Sequence, residues 1–238
     1  MASNLIVQGS RELITEGVVI RLRARDGHEL DAYVARPAGE FRAGLVVGHE
    51  MYGINEYVRG VCDDYAAEGY LAIAPALYDR LRPGLAYTYS AEDHDRAQES
   101  YKTIDLEAAL DDFDAAREAV AETGKVGVLG FCWGGSLAWL AACRRSYDVA
   151  VAYYGSMMPD LALEQPRCPV ITHVGDRDAT MPPGRVTQFR DAQPSVPVYI
   201  YEGALHGFDN ENRRDRYNAA AHRLARERTL AFLRRHVG

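Results

Sequence analysis

The 238-residue sequence has no apolar run approaching the roughly 20 residues that would cross a bilayer. It has no basic block either: the net charge is −7 and both signs are scattered along the chain, which excludes nucleic acid and anionic membrane surfaces as partner classes. Met1 to Gly17 holds one short apolar triplet, Leu5-Ile6-Val7, followed by Arg11 and Glu12, and reads as no signal peptide, so a cytoplasmic location is expected. Cysteines are few. Cys62, Cys132, Cys143 and Cys168 form no C-x-x-C pair, and in a reducing compartment with a large core they are not expected to cross-link. The seven histidines are dispersed without an H-E-x-x-H pattern, so neither metal nor cofactor is expected. No linker, internal repeat or low-complexity stretch interrupts the chain, and residues 1–238 read as one domain, acting on a small molecule as a monomer or homodimer.

What is present alternates. Val18–Arg23 and Glu29–Val34 flank Asp26-Gly27, a hairpin signal. The apolar runs Ala43–Gly48, Tyr70–Pro75, Val126–Leu129, Val149–Tyr154, Pro169–Val174 and Val198–Tyr201 suit strands, several of them buried on both faces. Helical spacing is expected over 56–68, in one or two helices over 91–122, after residue 132, near 183–192, and over 212–236 with Tyr217, Ala220, Ala221 and Leu224 on one face. The order implies an α/β fold, a mostly parallel sheet with helices on both faces behind an antiparallel N-terminal hairpin. The irregular stretch Arg80–Tyr89 follows a strand and is expected to wall the ligand crevice.

The chemistry centres on Gly130-Phe131-Cys132-Trp133-Gly134-Gly135, between a strand and the helical run Ser136–Ala142. Strand, sharp turn with a reactive tip, then helix is the nucleophile elbow, here with cysteine in place of serine. Its glycines are needed where strand and helix backbones crowd. A helix N-terminus favours the thiolate, which is the nucleophile. A nucleophile needs a base, and the base an orienter. α/β-hydrolases arrange these as nucleophile, acid, histidine along the chain. Downstream, the strand 169–174 ends in Gly175-Asp176-Arg177-Asp178, and the strand 198–201 ends near His206-Gly207-Phe208. Asp178, with Asp176 as rival, is the expected acid, and His206 the expected base. His173 lies inside an apolar strand and is set aside. Glu50 directly follows a buried strand, which points it into the cleft, where a carboxylate is costly unless partnered. The backbone N–H groups of Trp133 and Met51 are the expected oxyanion hole.

These motifs resemble the dienelactone hydrolase (carboxymethylenebutenolidase) family over nearly the whole chain. The matching segments are Gly48-His49-Glu50-Met51-Tyr52-Gly53-Ile54-Asn55, Ala74-Pro75-Ala76-Leu77-Tyr78, the cysteine elbow, Gly175-Asp176-Arg177-Asp178 and His206-Gly207-Phe208. The resemblance implies an α/β-hydrolase fold without a cap domain. It implies a Cys132, Asp178, His206 triad, with Glu50 helping to activate the cysteine and with Arg80 and Tyr52 binding substrate. The expected reaction opens a small activated lactone or enol ester, anionic in charge, through an acyl-thioester. The alternatives are a general carboxylesterase or thioesterase using the same triad, a redox-responsive protein, and a non-enzymatic ligand-binding module. The resemblance departs in one place: the family carries an arginine four residues after the catalytic histidine, where this chain has Asn210, with Arg213 and Arg214 further on.

Overall fold

In the computed structural model, which describes residues 17–238, eight strands form one sheet in the order β1-β2-β4-β3-β5-β6-β7-β8. The Met1–Gly17 reading falls, save for its last residue, outside the described residues. The Asp-Gly turn closes an antiparallel hairpin of β1 (Val18–Arg23) and β2 (Glu29–Ala35). β2 joins β4 (Tyr70–Pro75) antiparallel, and the sheet is parallel from there through β3 (Ala43–Gly48), β5 (Val126–Phe131), β6 (Val149–Tyr153), β7 (Val170–Gly175) and β8 (Val198–Tyr201).

Successive side chains on a strand point to opposite faces, and here each face feeds its own core. Val46, Val126 and Val128 pack with Phe113, Leu137, Leu140 and Trp139 on one side. Leu45, Val47, Leu129 and Phe131 pack on the other with Val58, Val61 and Tyr65 of α1 (Glu56–Ala67) and with Ala225, Leu230 and Leu233 of α6 (Ala219–His236). The first face is covered by α3 (Leu106–Ala119) and α4 (Trp133–Arg144), with Phe189 of α5 (Pro183–Ala192) at its edge. α2 (Ala91–Thr103) is separate from α3. The break falls at Ile104-Asp105, where Asp105 accepts from the Ala108 N–H and caps α3.

Two expectations change. The last helix starts at Ala219, because Asn218 caps it, while residues 212–218 form turns tied to Asn210 and Phe208. The high charge of that stretch imitates a helix face. The buried side of α6 is Ala221, Ala225, Thr229 and Leu233, so Ala220 and Leu224 point to solvent. The other change concerns Arg80–Tyr89, which stands behind the crevice wall. Its Tyr87 N–H donates to the Tyr52 carbonyl, and the Tyr89 ring meets the Tyr52 ring edge at 4.6 Å. Tyr52 itself, with α2, faces the crevice.

Candidate active site

Cys132 sits between β5 and α4 with φ 55° and ψ −116°, a conformation few side-chain-bearing residues adopt and one worth about 1–3 kcal/mol of strain. The neighbouring glycines allow it. A Cβ on Gly130 would lie 1.9 Å from the Gly134 carbonyl oxygen, and a Cβ on Gly134 2.3 Å from the Gly48 oxygen. The turn is pinned by the Cys132 N–H to the Tyr153 carbonyl (3.0 Å) and the Ser136 N–H to the Cys132 carbonyl (3.1 Å). Cys132 is the partly accessible tip of a helix otherwise buried along its length, and it lines a cavity of about 520 Å³. Trp133 lines the same cavity and stacks on Tyr78, whereas Trp139 is pure core.

His206, five residues beyond β8, enters this cavity. Its Nδ1 donates to Asp178 Oδ2 at 2.8 Å. Asp178 Oδ1 accepts from the Thr180 hydroxyl (2.7 Å) and from the Thr180 and Met181 N–H groups, so the carboxylate both orders its own turn and orients the imidazole. The rival Asp176 is exposed and does not reach His206. Burial works against both charges. It pushes the Asp178 carboxyl up, but the bond and charge of His206 and the Thr180 bonds leave it below the usual carboxylate range. Burial pulls His206 down, but the Cys132 charge and hydrogen bonds to Asp178 and Cys132 raise it to about 10. The structure thus brings Cys132 and His206 to one cavity, with the Asp178 carboxylate bonded to the imidazole. His173 stays in the core, bonded to the Tyr201 and Thr229 hydroxyls and pulled by burial to about 3.

The loop after β3 forms the facing wall. Its carbonyls are all claimed: His49 O by the Gly134 N–H, Glu50 O by His49 Nδ1, and Met51 O by the Tyr78 hydroxyl. Among the described residues, the backbone N–H groups of Met51 and Trp133 have no backbone acceptor. Glu50 is buried against the cavity, and burial raises its carboxyl against the pull of His206, Asn210 and Arg213. Its direct partner is Asn210, whose Nδ2 donates to Glu50 Oε2 at 2.9 Å and to the Tyr89 hydroxyl at 2.7 Å.

Arg80 is not brought to the cavity. Its Nε and Nη2 both donate to the fully buried Asp112 carboxylate at 2.8 Å, and its Nη1 to Asp26 at 2.7 Å. This corrects its expected role: a buried carboxylate on α3 holds the guanidinium fork as a structural pair. Tyr52 does line the cavity, its hydroxyl 2.9 Å from His94 Nδ1 and accepting from Arg213 Nη1 at 3.3 Å.

Sequence reasoning did not find the α2 wall of His94, Gln98 and Tyr101, and it noted Arg177 and Arg213 without giving them, or Arg216, a place in the cavity. A signal for the first was available. Ala91–Thr103 has only Ala91, Ala97 and Tyr101 as apolar residues, too few for a helix that covers core.

The sequence pattern of the dienelactone hydrolase family matches residues 30–237. A carboxymethylenebutenolidase from Pseudomonas putida is 35% identical over 233 residues, spanning 93% of this chain and 97% of its own. A Bradyrhizobium relative assigned as a 2-oxo-3-(5-oxofuran-2-ylidene)propanoate lactonase is 30% identical over 234 residues, with 89% and 92% covered. A solved Klebsiella pneumoniae chain assigned as a dienelactone hydrolase superposes with a TM-score of 0.78 at 27% identity, covering 90% of this chain and 98% of its own.

Proposed function

Since the chain belongs to the dienelactone hydrolase family, with the α/β-hydrolase fold and a hydrolase activity on ester or lactone bonds, we propose that it opens carboxylate-bearing enol lactones through a Cys132 acyl-thioester. The observation that supports this best is His206, which holds Asp178 through Nδ1 and lines the same cavity as the Cys132 nucleophile.

The Cys132 thiolate adds to the lactone carbonyl carbon. The oxyanion that forms takes the Met51 and Trp133 N–H groups, which are fixed before substrate arrives and cost no reorganisation. Collapse breaks the bond from acyl carbon to ring oxygen. The ring oxygen leaves as an enolate and takes the proton from the His206 imidazolium. Neutral His206 then accepts a proton from water as the hydroxide adds to the thioester carbonyl. The second collapse expels the Cys132 thiolate and leaves the free acid, with the imidazolium restored.

Sulfur favours this substrate class. Thiolate leaves a tetrahedral intermediate more readily than an alkoxide does, so a simple alkyl ester mostly reverts, whereas an enolate competes. The names of two relatives, carboxymethylenebutenolidase and a lactonase acting on a propanoate, describe lactones that carry an acid group. The same reading places the protein in a reducing cytoplasm, where a nucleophilic thiol persists.

The deciding experiment is Cys132→Ala assayed on an enol lactone, with intact-mass analysis of the wild-type protein during turnover of a slow substrate. Loss of hydrolysis by a factor of about 10³ or more and an acyl adduct on Cys132 are expected. A variant with full activity would rule the reading out. Comparable kcat/KM on enol lactones and alkyl esters would replace it with a general esterase.

A further inference from the structure

We infer that the carboxylate of the substrate is received by Arg213, backed by Tyr52 and His94, and that the Asp215 side chain occupies this position until the substrate displaces it. The inference rests on the lactonase reading and names where and how that site reads charge.

The two positions that the family resemblance offers for this task are both engaged elsewhere. Arg80 is locked on Asp112 and Asp26, away from the cavity. Asn210 carries no charge and spends its amide on Glu50 and Tyr89. Among the described residues, three cations remain around the cavity: Arg177, Arg213 and Arg216. Arg216 is tied down by the His206 carbonyl (3.3 Å) and by Asp215 Oδ2 (3.4 Å), and Arg177 stands exposed in solvent, where its charge is largely screened.

Arg213 differs from both in being built in. Its carbonyl accepts from the Arg216 and Tyr217 N–H groups and its own N–H donates to the Asn210 carbonyl, so the backbone is a closed turn. Its guanidinium lies over the Tyr52 and Tyr89 rings at 5.9 and 5.4 Å, and Nη1 donates to the Tyr52 hydroxyl. That hydroxyl meets His94 on α2, which in turn meets Gln98. The side chain is only 15% exposed. Stacking on aromatic faces while presenting a planar fork is what makes arginine, rather than lysine, suited to hold a carboxylate.

The fork does have an acidic partner. Arg213 Nη2 meets Asp215 Oδ2 at 3.2 Å, an oxygen it shares with Arg216 Nε at 3.4 Å, but the Asp215 side chain is 65% exposed. An ion pair that open to water is weak and exchanges readily. It presents to the guanidinium the same group a substrate would bring, at the rim of the cavity that holds Cys132. Met51, Trp133, Tyr101 and Leu205 line the same cavity and give it an apolar surface suited to a flat unsaturated ring. The substrate class that fits is an enol lactone with its carboxylate on the side away from the scissile carbonyl.

The test compares a carboxylate-bearing enol lactone with its methyl ester. In a Cys132→Ala background, calorimetric Kd values are taken with and without Arg213→Gln. The expected result is a loss of about ten- to hundredfold for the carboxylate and a much smaller loss for the methyl ester. Arg213→Lys keeps the charge without the fork and should fall between. Asp215→Asn should tighten the carboxylate several-fold and leave the ester as it was. Equal losses on both ligands, a selective loss on Arg177→Gln instead, or an Asp215→Asn protein with unchanged carboxylate affinity would overturn the inference. Binding is read without turnover, so a surviving activity in Cys132→Ala would refute the nucleophile and still leave Arg213 to be judged. In that case the ratio of initial kcat/KM values for the two ligands replaces the Kd.

Discussion

Burial alone would leave the His206 imidazole neutral at pH 7; the Cys132 charge and the bond to Asp178 hold it up to about 10. The imidazolium is the form present below that value. In the proposed mechanism, the proton destined for the leaving enolate is therefore in place through the neutral range and is lost as pH rises through about 10. The kcat/KM profile should carry an alkaline limb near pH 10. Asp178→Asn removes one of the two supports and leaves the imidazole in the wrong tautomer. It should move that limb to lower pH by a unit or more and cut kcat by about 10⁴-fold. A limb that stays put would show that Asp178 does not hold the proton there. Cys132, Asp178 and His206 each follow a strand end on one edge of the sheet, so their closeness in space was legible from local motifs. Arg80 was not legible in the same way. Its partner Asp112 lies 32 residues further on, inside a helix, and nothing in the linear pattern marks that carboxylate as fully buried. The role of Asn210 was hidden for a similar reason, since its acceptor Glu50 is 160 residues away.

Among the elements, the β5–α4 pair shows what a rigid support is. Every α4 residue except Arg144 is buried, and the helix starts so close to β5 that no side chain fits between the backbones. Gly130→Ala would drive a methyl group into the Gly134 peptide, which has no rotamer to change. A loss of about 3 kcal/mol or more is expected, read as a lowered urea midpoint at unchanged m-value. A midpoint close to wild type would mean that strand and helix can part. α2 is the opposite case, with Ala97 alone buried and His94, Gln98 and Tyr101 over the cavity. Elements with little buried apolar surface open at low free energy. Amides of α2 should therefore exchange with deuterium well before those of α4, and a bound carboxylate-bearing lactone should slow them through the Tyr52–His94 contact. Exchange in α2 as slow as in α4 would count against a mobile wall. Element identities were readable because most strands are unbroken apolar runs buried on both faces, set apart from segments with helical spacing. The start of α6 was not, since charge density alone does not separate a helix from a run of turns. The cap at Asn218 decides it.

At the scale of the molecule, the alternation of strand and helix foretold a parallel sheet, but the place of β4 between β2 and β3 depends on pairings no local pattern carries. The Arg80 triad is part of what joins those layers. It links the hairpin turn at Asp26 to Asp112 in α3, across the end of the sheet. Burial pushes the Asp112 carboxyl up to about 6 even with the guanidinium in place. Arg80→Ala would leave that carboxylate buried and unpaired, a change worth about 3–5 kcal/mol at neutral pH. The sign follows from proton counting. With its folded-state pKa raised above the ordinary 3.8, Asp112 binds more protons folded than unfolded, so stability falls as pH rises through the folded pKa. Without Arg80 that pKa climbs further. The variant should lose much less stability at pH 5 than at pH 8, measured by urea unfolding at both. At pH 5 the folded variant should also keep the wild-type ratio of kcat/KM for the anionic lactone over its methyl ester, because the charge it removes does not face the cavity. A selective loss on the anion would return Arg80 to the substrate and take that role from Arg213.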